Sequence, residues 1–117
     1  MKFLLVFLGG GAGSVMRYAV ALMMNGRGWP WGTLAVNVLG SFLIGLVGAL
    51  SGKGVVSEEA RLFLAVGLCG GFTTFSTFSS ECLAMLRAGD WLIAAVYIAV
   101  SVLAGIAAVW ISVNDVL

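Results

Sequence analysis

Cys69-Gly70-Gly71-Phe72-Thr73-Thr74-Phe75-Ser76-Thr77-Phe78-Ser79-Ser80-Glu81 sets a glycine pair, a run of hydroxyls and three phenylalanines inside a segment apolar enough to cross a membrane. A helix facing lipid has no use for such a sequence. Unpaired backbone N–H and C=O groups in hydrocarbon are costly, so backbone at membrane depth departs from the helix only where protein buries it or a cavity hydrates it. Hydroxyls in this run also compete for backbone hydrogen bonds. The stretch predicts a long third helix with a local unwinding around Gly70, Gly71 and Thr73, and marks an ion or solute site.

Working outward, the flanking sequence is a membrane protein's. The chain has 117 residues, 62% hydrophobic and 9% charged, with a mean hydropathy of +1.14. Charge-free windows run over 28–52, 62–80 and 91–114, each meeting the ~20 residues that a transmembrane helix needs. Residues 3–24 form a fourth, interrupted by Arg17 alone. The expected fold is all-α: four transmembrane helices at about 3–24, 32–51, 61–86 and 91–112, with a break in the third, in one domain over residues 1–117. Ser57 with Glu58 and Glu59 favours a helix start just ahead of the third span. Trp29, Trp31, Trp91 and Trp110 fall near helix ends, as in an interfacial aromatic belt. The apolar run after Lys2 is too short before Gly9-Gly10-Gly11 to read as a cleaved signal, so the first span is expected to stay.

Composition excludes several functions. Net charge is +1 with no basic cluster, which argues against nucleic acid. There is no histidine and no paired-cysteine motif, which removes zinc sites and histidine-dependent triads. Cys69 and Cys82 sit thirteen residues apart on one expected helix, roughly 20 Å along its axis, too far for a disulfide. No nucleophile–base pair or cofactor motif suggests an enzyme.

Loop charges carry topological information. Lys2, Lys53 and Arg61 fall on one side of the expected bundle, and Arg27 and Arg87, with Arg17 nearer to them, on the other. Three against three gives the positive-inside rule almost no preference. A chain inserting both ways can build an antiparallel two-fold dimer, the inverted symmetry that larger transporters encode as repeats. Gly9/Gly13, Ser41/Gly45, Gly48/Gly52, Gly67/Gly71 and Ser101/Gly105 at four-residue spacing suit close packing in a multi-helix bundle.

Few polar residues lie at membrane depth. Asn37, in Gly32-Thr33-Leu34-Ala35-Val36-Asn37-Val38-Leu39-Gly40-Ser41-Phe42, carries two amide donors, suited either to an anion or to an interhelical hydrogen bond. Arg17 either snorkels to the interface or draws anions to a vestibule. Glu81 could flank an entrance or pair with a cation. Phe75 and Phe78 share a helix face, and the positive edge of an aromatic ring tolerates a small anion. Tyr97 and Ser101, one turn apart, either extend a polar track or bond to nearby carbonyls.

The Asn37 and Gly70–Glu81 blocks, with Gly9-Gly10-Gly11-Ala12-Gly13-Ser14-Val15-Met16-Arg17-Tyr18, closely resemble the Fluc (CrcB-type) fluoride channel family over nearly the whole chain. The resemblance implies a passive fluoride channel in a bacterial inner membrane, an antiparallel dual-topology homodimer with two pores. It assigns Phe75 and Phe78 to the pore, Asn37 as a donor to fluoride, and Ser76, Thr77, Tyr97 and Ser101 to a polar track. It also implies a structural sodium ion at the dimer centre, held by the backbone carbonyls of Gly70 and Thr73 from both subunits. Replacing Asn37 by leucine is then expected to slow fluoride while leaving assembly largely intact. The alternative is a small dual-topology, proton-coupled multidrug transporter, which needs an embedded carboxylate, usually in the first helix. Here the first helix has Arg17 and no acid.

Overall fold

A computed structural model describes residues 1–25 and 29–114. Arg27, counted above among the loop charges, lies outside the described residues, as do Gly26 and Gly28. Helix α1 is Lys2–Met24 and α2 is Trp31–Gly52. The third transmembrane segment, Glu58–Arg87, is built in pieces. Ser57 Oγ accepts from the Ala60 amide and starts α3, Glu58–Arg61, with Glu58 and Glu59 in its first turn and Glu58 paired to Arg61. The chain then winds as a π-helix over Leu62–Cys69, returns to α-helix in α4, Gly70–Phe72, breaks, and resumes as α5, Ser76–Arg87. Helix α6 is Trp91–Asn114. These make four spans long and apolar enough to cross a membrane, within a few residues of the sequence expectation.

Helices pair out of chain order. Helix α1 packs along the π-helical stretch and α4, while α2 packs along α6. Small residues permit the first pairing. A methyl group on Gly9 would lie 2.5 Å from the Phe63 carbonyl oxygen, and one on Gly13 would lie 2.8 Å from the Phe72 amide nitrogen. Both obstacles are backbone, so neither can swing aside. Gly67 and Gly71 present their own Cα faces to Gly9 and Gly10, so the two small-residue pairs expected to mediate packing meet each other. Gly48 and Gly52, by contrast, have no neighbour within 4 Å of where a Cβ would sit.

The glycine pair is not where the third segment breaks. Gly70 and Gly71 are helical, and the extended residue is Thr73, at φ −85° and ψ 159°. The non-helical backbone covers 73–75, beginning two residues after Gly71. Gly71 is needed for contact with α1, whereas the turn is set by hydrogen bonds to Thr74 described next.

Candidate functional site: a donor-lined groove at the helix break

Asn37 clasps the broken backbone from α2. Its Oδ1 accepts from the Thr74 amide at 2.8 Å, and its Nδ2 donates to the Thr74 carbonyl at 3.1 Å. One amide N–H of Asn37 remains for another acceptor. Thr74 Oγ1 in turn accepts from the Thr77 amide at 3.2 Å, capping the restarted helix α5.

These bonds divert two helical donors. In an unbroken helix the Thr74 amide would bond the Gly70 carbonyl and the Thr77 amide the Thr73 carbonyl; here both are taken by side chains. The Gly70 and Thr73 carbonyls are left without their α-helical donors. Neutral carbonyl oxygens are the ligand type a hard monovalent cation takes, so the backbone fits the sodium site that the resemblance implies. Among the described residues no cluster of three His, Cys, Asp or Glu side chains offers a competing metal site.

Beside the break lies a groove of about 290 Å³ lined by Asn37, Ser41, Ile44, Thr73, Thr74, Phe75, Phe78, Ser101 and Val102. It brings together Asn37, Phe75, Phe78 and Ser101 from three different spans. Phe75 and Phe78 stand 6.0 Å apart between ring centroids, and Phe78 lies 5.1 Å from the Tyr97 ring. Phe75 is 80% exposed on the single chain. Ser101 Oγ is buried with no hydrogen-bond partner among the described residues.

Other expected residues sit differently. Tyr97 is fully buried and its hydroxyl donates to Glu81 Oε1 at 2.8 Å, so it adjoins the groove through Phe78 rather than lining it. Ser76 is exposed and Thr77 half-buried, and neither lines the groove. Arg17 is tied down: its Nε donates to the Gly71 carbonyl at 3.0 Å, bridging α1 to the third segment just before the break.

A polar network at one end of the groove was not foreseen. Thr33 donates to Glu81 Oε2 at 2.9 Å, and Asn25 Oδ1 accepts from the Gly32 amide at 2.7 Å. Asn25 Nδ2 reaches Thr33 at 3.4 Å. Glu81 is thus held by two hydroxyls, from α2 and α6, rather than by a cation. Spacing held part of the signal, since Thr33, Asn37 and Ser41 recur every fourth residue along one face of α2. Trp29 also departs from an interfacial anchor. Its ring meets Tyr97 edge-on at 5.3 Å and its Nε1 is buried, whereas Trp31, Trp91 and Trp110 remain exposed.

A family model described as "CrcB-like protein, Camphor Resistance (CrcB)" matches residues 4–113, all but the two ends of the chain. This chain belongs to the CrcB family. It is 56% identical over 92 residues to "Fluoride-specific ion channel FluC" of Thermus thermophilus, covering 76% of this chain and 74% of that one. Proteins of the same name from Phocaeicola vulgatus and Hyphomonas neptunium are 47% and 51% identical over 115 residues, covering 96% and 93% of this chain and 95% and 90% of theirs. With four helices long and apolar enough to cross a membrane, this chain is a multi-pass membrane protein.

Proposed function

We propose that this chain is a passive fluoride-selective channel that lets fluoride leave the cytoplasm across a bacterial inner membrane. The observation that carries the reading is the groove at the helix break, where the spare Asn37 amide hydrogen, the Ser101 hydroxyl and the Phe75 and Phe78 rings converge. Fluoride is a strong acceptor needing donors in place of its water shell, and aromatic edges complete the lining without repelling a small anion. The relatives named as fluoride-specific channels support the choice of ion.

Energetics favour a pore over a pump. Hydrogen fluoride is neutral and crosses membranes, then dissociates in a less acidic cytoplasm and is trapped as the anion. Moving one such charge outward along a membrane potential gains about 2.3 kcal/mol per 100 mV. No coupling reaction is needed.

The channel is read as an antiparallel homodimer with two pores. A strongly exposed Phe75 beside polar Asn37 and Thr74 makes a poor lipid-facing surface. A second copy in the opposite orientation would cover it, consistent with the balanced loop charges. The Gly70 and Thr73 carbonyls of both subunits would hold a sodium ion at the centre. Bound there, the cation supplies a fixed positive charge that cross-links the two broken helices; the chain's part is to keep those carbonyls free of helical donors.

The test is ion efflux from liposomes carrying purified protein. Fluoride should leave far faster than chloride, electrogenically, with no pH gradient. Phe75→Ile and Phe78→Ile, which keep bulk and remove the aromatic edge, should slow it sharply with the dimer intact. Undiminished flux in both variants would place the pore elsewhere. A strict requirement for proton counter-flux would instead favour the exchanger.

A further inference from the structure

Two serines line the groove whose hydroxyls have no hydrogen-bond partner among the described residues. Ser101 Oγ is buried and makes no hydrogen bond. Across from it, Ser41 lines the same groove, one turn beyond Asn37 on α2. A helical serine usually returns its hydroxyl to the carbonyl four residues back. Thr73, just past α4, donates to the Cys69 carbonyl four back at 3.0 Å, and helical Ser112 to the Val109 carbonyl three back at 2.9 Å. Ser41 has no such bond among the described residues, although Asn37, the residue four back, is helical.

Space is kept open beside it. Gly105 lies one turn beyond Ser101 on α6, and a Cβ there would stand 3.6 Å from Ser41 Oγ, in ordinary van der Waals contact. The missing methyl leaves that flank of the hydroxyl uncovered. The two O–H groups and the spare Asn37 N–H then form a run of donors along the α2–α6 seam, with no acceptor of the protein's own. Leaving the buried Ser101 donor empty costs on the order of 1–3 kcal/mol, which a small anion accepting from it removes.

We infer that Ser41 contacts the permeating anion, and that with Ser101 it forms a two-hydroxyl subsite for fluoride one turn beyond Asn37, kept accessible by Gly105. The inference rests on the groove being the fluoride pathway. Ser41 is a donor to the ion, so the hydroxyl, not the volume of the side chain, is what matters.

The test measures fluoride efflux from liposomes for Ser41→Ala, Ser41→Thr and Gly105→Ala beside the wild type and Phe75→Ile. Ser41→Ala should be about tenfold slower, the scale of losing one charge-assisted hydrogen bond of ~1.4 kcal/mol. Ser41→Thr, which keeps the hydroxyl, should recover most of the rate. Gly105→Ala, whose methyl is tolerated sterically but shields Ser41, should be several-fold slow. Size-exclusion profiles matching the wild type would exclude misfolding as the cause. Wild-type rates in Ser41→Ala, or a Ser41→Thr variant as slow as Ser41→Ala, would overturn the subsite while Phe75→Ile still reports on the pathway. A wild type that moves no fluoride would defeat the channel reading itself.

Discussion

Asn37→Leu is the substitution for which the structure changes the expected outcome most. Read from the sequence, it removes pore donors and spares the fold. Its side chain in fact satisfies both the amide and the carbonyl of Thr74, at 2.8 and 3.1 Å, where the helix is open. Leucine offers neither donor nor acceptor. Two orphaned backbone groups cost ~1–3 kcal/mol each in a dry site, while interhelical side-chain bonds measured in membranes average only ~0.6 kcal/mol. The Thr74 groups have no helical partner to fall back on, yet the groove beside them admits water, so a loss of about 2 kcal/mol is expected, roughly thirtyfold in the folding equilibrium. Reversible unfolding in bicelles measures the loss, and hydrogen exchange at the Thr74 amide locates it. Unchanged stability together with a still-protected Thr74 amide would refute the clasp, and any lost flux would then belong to ion contact alone.

Three further outcomes are expected. Gly13→Ala should markedly lower the unfolding midpoint, because its methyl meets the Phe72 and Leu68 backbone at a cost of ~1–3 kcal/mol or more; Gly11→Ala, with nothing within 4 Å, should be neutral, and equal midpoints would contradict the packing of α1. Reporters fused to the C-terminus should be found on both sides of the membrane, and lysines added to one set of loops should bias them; a single orientation in every variant would defeat the antiparallel dimer. Removing sodium in favour of a large organic cation should weaken the dimer and stop flux, with recovery on adding sodium back; indifference to sodium would remove the central cation.

The spans were legible because a bilayer imposes length and hydropathy directly, and their ends were found to within a few residues. That the third segment breaks was legible too. Where it breaks was legible only in part: Thr73 is the extended residue, but Gly70-Gly71 is an ambiguous signal. Glycine both loosens a helix and lets another backbone approach, and here contact with Gly10 of α1 decides its use. The turn instead follows from Asn37 reaching Thr74 across 37 positions, a pairing local sequence does not encode. Of the residues that the family resemblance grouped, Asn37, Phe75, Phe78 and Ser101 line one groove, whereas Ser76, Thr77 and Tyr97 do not. The partners of Arg17 and Glu81 depended on the bundle, and only their rarity at membrane depth singled them out. The π-helical winding of Leu62–Cys69 had no sequence signal at all.

The crossed pairing of the spans sets an order of assembly. Helix α1 finds its main partner two spans later, and the bond from Arg17 to Gly71 closes across 54 positions. Emerging from the ribosome, the first two helices can therefore make only the smaller part of the contact that α1 finally has. Until Gly71 arrives, the guanidinium has to remain hydrated near the headgroups, and α1 stays shallow or tilted. Synthesis of the third span brings the glycine face that fits α1 and the carbonyl that accepts from Arg17, so the first helix reaches its final depth only when more than half of the polypeptide has been made.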